Sequence, residues 1–255
     1  MTAAACLQKT MFVAISTAIS LLLLSVGSAM ASDCKAITYD GANFTVCTVS
    51  EDDDVRLFLR DTDGAILGTF DRLEDHVAAE NAEVVFAMNG GMYHPDRRPV
   101  GLYIENGVQL APLVTREGPG NFGLLPNGVL CIEDNRFSIT ESKSFAAALP
   151  DCDFATQSGP MLVIDGALHP RFLPSSDSRF FRNGVGVTDD GTLVAVISED
   201  PVNFDHFARL FRDVLKTPNA LFLDGKVSRL FVPALGRHDI GFPMGPILAV
   251  IRPKD

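Results

Sequence analysis

Asx-Gly dipeptides flanked by apolar runs recur along this chain, at Asp63-Gly64, Asn106-Gly107, Asn127-Gly128, Asp165-Gly166, Asp190-Gly191 and Asp224-Gly225. An Asx followed by glycine tolerates the positive φ of a two-residue hairpin turn, so the pattern predicts strand, tight turn and returning strand. The spacing is too irregular for a solenoid or propeller, which repeat at a fixed period. The expectation is one α+β domain, a largely antiparallel sheet system built from hairpins with a few packed helices. Arg72 to Asn81 puts Leu73 and Val77 on one helical face, and Asn203 to Leu215 does the same with Phe204, Phe207, Phe211, Val214 and Leu215. Asn203 reads as the N-cap of that second helix and Pro218 as its stop.

The N-terminus is expected to stand outside this domain. Lys9, an apolar run from Met11 to Val26 and the small residues of Gly27-Ser28-Ala29-Met30-Ala31 read as a secretory signal over 1–31, leaving a domain at 32–255 that starts at Ser32. The run is shorter than the ~20 residues of a spanning helix, so no membrane span is expected after cleavage. A periplasmic or secreted protein follows. Cys34, Cys47, Cys131 and Cys152 remain, none of them in a Cys-x-x-Cys pair, which favours structural disulfides over a thiolate metal site. Of the three possible pairings, Cys34 with Cys47 and Cys131 with Cys152 is preferred because each pair brackets a local segment. Net charge is −11 over the 255 residues, which argues against a nucleic-acid partner.

Polar residues that end apolar runs are the candidates for chemistry. Val84 to Met88 stops at Asn89-Gly90-Gly91, a strand delivering its end to a turn where glycines permit positive φ and close backbone approach. Met92-Tyr93-His94-Pro95 leaves that turn, and a second strand is expected from Pro99 to Ile104. Gln157-Ser158-Gly159-Pro160, Arg182 and Asp224 mark the other ends. Walker, His-Glu-x-x-His and Gly-x-Ser-x-Gly motifs are absent. Gly118 to Gly123 matches the dinucleotide pattern by letter, yet a charged Arg116-Glu117 precedes it and no helix follows, so it reads as a loop.

Asn89-Gly90-Gly91-Met92-Tyr93, Gln157 to Leu162, Arg182 with Gly184 and Gly186, the segment Asn203 to Ser228 and Gly245-Pro246-Ile247, taken in this order, resemble the phosphodiester glycosidase family. The resemblance covers about Phe86 to Ile251 and is nearest to the family's bacterial exported branch. One departure stands out: the family's Asp-Gly-Gly-Gly-Ser run is here Asp224-Gly225-Lys226-Val227-Ser228.

The resemblance implies an exported hydrolase that cleaves a sugar-1-phosphodiester, with a small-molecule or glycan phosphodiester as partner. Breaking that bond develops positive charge at the anomeric carbon and leaves a phosphate, so the site needs a carboxylate by the sugar and a cation by the phosphate. Asp224 and Arg182 are the expected pair, with Glu199 the candidate if a second carboxylate is required. Asn89, Gly90, Gly91, Gln157, Gly159 and Ser228 are the expected substrate contacts, and His94 and His206 are candidate proton carriers that read more simply as turn and helix-surface residues. No cofactor is required. A Ca²⁺ or Mg²⁺ ion held by Asp224, Glu199 and Asn89 oxygens is one alternative; a non-catalytic envelope or polysaccharide-binding protein that keeps the pocket is another.

Overall fold

The computed structural model describes residues 33–254. The expected signal segment and its junction at Ser32 lie outside them. β1 (Asp33–Tyr39) and β2 (Ala42–Val49) are joined by Asp40-Gly41 with φ of 47° and 78°, a turn not anticipated above. β3 (Asp54–Phe58) leads to α1 (Phe70–Ala78), where the Thr69 hydroxyl accepts from the Arg72 N–H and Phe70, Leu73 and Val77 are buried. The helix thus starts ahead of Arg72, because Thr69 supplies the cap. β4 (Ala82–Asn89) is the apolar run into Asn89. The return strand is shorter than expected, β5 (Tyr103–Glu105), and Asn106-Gly107 turns it into β6 (Val108–Ala111).

β7 (Gly128–Glu133) and β8 (Arg136–Glu141) turn at Asp134-Asn135, both with positive φ, and α2 (Ser142–Ala148) and β9 (Phe154–Ser158) follow. β10 (Met161–Ile164) and β11 (Ala167–Leu168) form a hairpin across Asp165-Gly166, and β12 (Asn183–Val187) and β13 (Leu193–Ser198) another across Asp190-Gly191. The Asn203 side chain caps α3 (Phe204–Arg209), which widens into a π-helical turn at Leu210–Val214. β14 (Asn219–Asp224), β15 (Leu230–Val232), β16 (Arg237–His238) and β17 (Ile247–Pro253) close the chain. Asn127-Gly128 and Asp224-Gly225 are not hairpin turns: the first opens β7, and after the second the chain leaves one sheet for another.

A seven-stranded sheet has the order β1-β2-β13-β12-β14-β10-β11, and two five-stranded sheets have the orders β16-β15-β4-β17-β3 and β6-β5-β9-β7-β8. Every strand pairing among the described residues is antiparallel. This is the expected α+β fold in one domain. All three sheets share a core that includes Leu57, Phe86, Tyr103, Leu130, Met161, Leu221 and Leu248. Each such aliphatic side chain contributes about 1.5–3 kcal/mol by leaving water. On the far face of the large sheet α3 and its π-helical turn pack Phe207 and Phe211 against Phe44 and Phe222, while α1 covers the β4 sheet through Phe70, Leu73 and Val77. Both preferred disulfides form, and Cys34 faces Cys47 in register across β1 and β2.

Candidate active site

Two sheets meet where β14, β12 and β4 expose their ends. Antiparallel register sets Asn183 opposite Asp224, and the β17 pairing sets Asn89 opposite Ile247. A Cβ on Gly90 would lie 2.8 Å from the Leu248 nitrogen, so only glycine lets the chain beyond β4 pass this close to β17. Gly91 has φ of 151° and would put a Cβ 2.6 Å from the Thr156 hydroxyl.

The apolar run Ala220 to Leu223 carries Asp224 into the interior, where it is 9 % exposed. Its Oδ1 accepts from the N–H groups of Gly225 (2.6 Å) and Lys226 (3.0 Å), and its Oδ2 from those of Val227 (3.2 Å) and the Asn89 amide (3.1 Å). Burial nevertheless pushes its pKa above the ordinary 3.8, outweighing the backbone donors that favour the charged form. The Asn89 Oδ1 in turn accepts from the Asn183 amide (3.0 Å) and the Arg229 N–H (3.0 Å). Asn183 also donates to the Asn89 carbonyl at 2.8 Å. The Asn89 amide also donates to Asn183 Oδ1 at 3.3 Å, so Asn89 is held in the one orientation that aims an amide hydrogen at Asp224, and Asn183, which sequence reasoning passed over, holds it there. A hint existed, because Asn183 directly follows Arg182.

Arg182 is 1 % exposed. Its Nε donates to the Val202 carbonyl (2.8 Å), its Nη2 to the Ser178 carbonyl (3.0 Å), and its guanidinium stacks 3.7 Å above the Phe204 ring centroid. Among the described residues it makes no ion pair, and neither does Lys226. Burial lowers its pKa to about 10, which still leaves it charged at neutral pH. Nη1 makes no hydrogen bond among the described residues, and a Cβ on Gly225 would stand 3.4 Å from it, so glycine keeps that nitrogen open.

Both side chains line one cavity of about 380 Å³, together with Met92, Tyr93, Val100, Asn121, Phe180, Gly225, Lys226 and Val227. Asp224 is the sole carboxylate in that lining among the described residues. Tyr93 brings a phenol whose pKa is raised by burial and by the Asp224 charge, so it keeps its proton. A carboxylate, an unpaired guanidinium and apolar walls in one concavity suit a small ligand that carries an anionic group beside a polar ring.

The other expected contacts are placed elsewhere. The Glu199 carboxylate accepts from Thr45 at 2.6 Å and pairs with Arg237, outside the cavity lining. Gln157 is fully engaged: its Oε1 accepts from Leu102 and Val114 N–H groups, and its Nε2 donates to the Val114 carbonyl, Asn127 Oδ1 and Ser142 Oγ. That leaves no donor or acceptor for a sugar hydroxyl, and neither Gln157 nor these partners line the cavity, so its role is to tie the segments at Leu102, Val114, Asn127 and Ser142 together. Gly159 serves the same packing, since a Cβ there would come 2.5 Å from the Asn127 Cβ. Ser228 Oγ reaches the Phe181 carbonyl (3.0 Å) and the Asp224 carbonyl (3.1 Å), tying down the loop that carries Lys226. His94 sits exposed in a turn, and His206 is buried in α3 with Nε2 3.1 Å from the Tyr39 carbonyl. Neither lines the cavity. The oxygens of Asp224, Glu199 and Asn89 are not brought together, because Glu199 and the Asn89 Oδ1 are spent as described. Among the described residues the group with metal-ligand spacing is Asp71, Glu74 and His238, all exposed and none lining the cavity.

The sequence pattern of the phosphodiester glycosidase family matches residues 82–242, the span that supplies Asn89, Arg182, Asn183 and Asp224. The chain belongs to the phosphodiester glycosidase family. A family relative, the Escherichia coli K12 protein YigE, is 33% identical over 215 residues, covering 84% of each chain. Its role is not established. The same fold is seen in the zebrafish N-acetylglucosamine-1-phosphodiester alpha-N-acetylglucosaminidase catalytic domain, auto-inhibited by its pro-peptide (TM-score 0.57, 15% identity, 86% of this chain and 81% of that one). It is seen again in a Burkholderia pseudomallei K96243 protein described as exported (TM-score 0.56, 12% identity, 82% and 74% of the chains). Within the family fold, the departure from consecutive glycines after Asp224 now has a location: Lys226 and Val227 both line the cavity. Among the described residues no helix is long and apolar enough to cross a membrane.

Proposed function

We propose that this protein hydrolyses the bond between the anomeric carbon of a sugar and the oxygen of a phosphodiester, releasing free sugar and a phosphate monoester. The observation that carries the reading is the pairing in one cavity of a desolvated carboxylate, Asp224, with a buried guanidinium, Arg182, that has no carboxylate partner among the described residues. An unpartnered buried cation costs several kcal/mol, so a fold that keeps one gains from an anion that arrives to meet it. The open Nη1 faces that anion, and the phosphate is the substrate's anionic part.

Asp224 acts at the sugar. As the C1–O bond lengthens, positive charge grows on the anomeric carbon, and a carboxylate held rigid by four N–H donors stabilises that charge without rearranging. The departing phosphate gains a second negative charge as the bond breaks; Arg182 offsets one of the two, water adds to the anomeric carbon, and the proton it releases goes to the phosphate monoester or to solvent, so little protonation of the leaving oxygen is needed beforehand. Asp224 can then serve without Glu199, which stays a structural ion pair with Arg237. Asn89 and Asn183 act through Asp224 as positioning residues.

Family membership and the two disulfides support the further reading that the chain is exported, with 1–31 removed and the domain starting at Ser32 in an oxidising compartment. Lys226 and Val227 in place of small residues motivate the second reading, a binder that retains the pocket without turnover. The deciding measurement is release of free sugar from a panel of sugar-1-phosphodiesters by the wild-type protein and by Asp224→Asn. Turnover by the wild type alone supports the hydrolase. Saturable binding without turnover by either protein would establish the binder.

A further inference from the structure

Asp224 and Arg182 are both buried, so a sugar and phosphate held by them lie deep in the cavity and the rest of the ester leaves across its rim. The exposed members of the lining are Asn121, Phe180 and Lys226, and Phe180 is the apolar one, 49 % exposed. A single apolar side chain on a surface is ordinary. This one has company. Among the described residues three phenylalanines are exposed, Phe180, Phe181 and Phe242, and each is tied to this cavity. Phe180 lines it, and the Phe181 carbonyl accepts from Ser228 Oγ (3.0 Å), in the loop that carries Lys226 and Val227. Phe242 precedes Pro243, whose carbonyl accepts from the Tyr93 hydroxyl of the cavity wall at 3.4 Å.

Phe180 is also held in place before any ligand arrives. Its N–H donates to the Val202 carbonyl (3.1 Å) and its carbonyl accepts from the Val202 N–H (2.9 Å), an isolated antiparallel bridge that fixes the backbone. Its ring centroid lies 5.4 Å from the Arg182 guanidinium carbon. A fixed aromatic ring gives up little conformational freedom on meeting a ligand, and covering its exposed face takes apolar area out of water. Which part of the substrate covers it follows from the order of groups. Asp224 is joined to the open nitrogen of Arg182 through Gly225, where a Cβ would stand 3.4 Å from Nη1, whereas Phe180 meets the guanidinium itself. The sequence of contacts is thus carboxylate, guanidinium, aromatic ring. In a sugar-1-phosphodiester the matching order is sugar, phosphate, second ester group. Met92, Val100 and Val227 extend the apolar wall, and a polyol against such a wall would lose water from its hydroxyls without a partner in return.

We propose that the alcohol on the far side of the phosphate is apolar, an alkyl or aryl chain of several carbons, and that Phe180 is the specificity-determining residue that packs against it. This rests on the reading of the protein as a sugar-1-phosphodiester hydrolase.

The test compares kcat/KM for three esters of one sugar-1-phosphate, each at concentrations where it is monomeric: methyl, n-hexyl, and a chain of hexyl length that carries hydroxyls along it. Each methylene that leaves water is worth roughly fourfold, so wild type should favour hexyl over methyl by roughly tenfold or more and should not favour the hydroxylated chain. In Phe180→Ser the hexyl-to-methyl ratio should fall by roughly threefold or more, and in Phe180→Leu most of it should persist, with melting temperatures confirming that all three proteins are folded. A ratio near one in wild type, or a preference for the hydroxylated chain, would overturn the proposal while leaving the hydrolase intact. An equal loss on all three esters in Phe180→Ser would overturn it too, because the ring would then serve the sugar or Arg182. Absence of wild-type turnover on all three esters would take down both readings.

Discussion

Two Asp-Gly dipeptides in this chain look alike in sequence and do opposite things. Asp165-Gly166 turns a hairpin: both residues have positive φ (45° and 80°), Gly166 has nothing within 4 Å of where a Cβ would be, and Asp165 lies near the surface. Asp224-Gly225 sits at the end of β14, with neither residue at positive φ, and the chain beyond it crosses to another sheet. In the first pair the backbone geometry is the product and the side chain is incidental. In the second the backbone N–H groups of 225, 226 and 227 fold back onto the carboxylate, so the loop is organised around the acid. The dipeptide marks a reversal of the chain; what distinguishes a site is whether the fold buries the aspartate and spends N–H donors on it.

Asparagine at each position should break the comparison most sharply. Asp224→Asn is expected to lower kcat by roughly 10²- to 10⁴-fold, the range for losing a group that acts directly on the reacting atoms. Asp165→Asn should leave kcat unchanged and shift stability by less than ~0.5 kcal/mol, as surface changes do. The amide introduced by Asp224→Asn would also turn its own NH₂ toward two of the four N–H donors, a fold cost of about 1–3 kcal/mol for each group left unpaired that a melting curve separates from the kinetic loss. Equal activity in the two variants would return Asp224 to the status of an ordinary turn residue. Arg182→Ala comes next, with kcat/KM on a sugar-1-phosphodiester falling roughly tenfold to a hundredfold, the worth of a charge-assisted hydrogen bond. Arg182→Lys should recover only part of that, because an ammonium cannot keep the Val202 and Ser178 carbonyls and also face the cavity. Unchanged kinetics in a folded Arg182→Ala protein would remove the phosphate role.

The contrast also shows which parts of the molecule were legible beforehand. Local chemistry was: Asn106-Gly107 and Asp165-Gly166 turn as their φ preferences dictate, and Asn203 caps α3 because its side chain meets the His206 N–H within its own segment. Turns without the usual pair were not, since Asp134-Asn135 reverses β7 into β8 with no glycine. Asn127-Gly128 misled for the converse reason: Asn127 is a buried amide serving Gln157 and Ser142, a partnership that exists only once distant strands have assembled. Asp224, Arg182 and Asn89 were legible as polar ends of apolar runs. Their division of labour was not, because Asn183 meets Asn89 across 94 residues of sequence and Gln157 meets Val114 across 43. No periodicity reports such pairings, and the family resemblance supplied the positions without the partners.

Titration should sharpen the comparison in a third way. The proposed role needs ionised Asp224, so the acid limb of kcat should inflect above pH 3.8, in the direction that burial shifts this carboxyl. The linked stability effect has a definite sign. A raised folded-state pKa means the native protein holds this proton more tightly than the unfolded chain, so lowering the pH through that pKa toward 3.8 stabilises wild type relative to Asp224→Asn. Melting temperatures of the two proteins between neutral pH and pH 4 decide the matter, and parallel curves for wild type and Asp224→Asn would contradict a raised pKa.

The smallest expected effects come from the two glycines, and they should separate the pairs most cleanly because they dissociate stability from binding. Gly166→Ala forces a side chain into left-handed backbone at φ of 80°, which costs about 1–2 kcal/mol although nothing is in the way of the methyl group. The melting temperature should fall and the kinetics stay put. Gly225 is not at positive φ, so alanine there carries no such backbone cost. Its methyl group would instead stand 3.1 Å from the Phe222 ring and 3.4 Å from Arg182 Nη1, crowding the approach to the nitrogen proposed to meet the phosphate. About 1 kcal/mol of lost binding would raise KM roughly fivefold with little change in melting temperature. Michaelis curves and melting curves on the two variants test the dissociation directly. If Gly225→Ala instead melts early with an unchanged KM, the glycine is serving the packing around Phe222, and the open face of Arg182 is not where the phosphate binds.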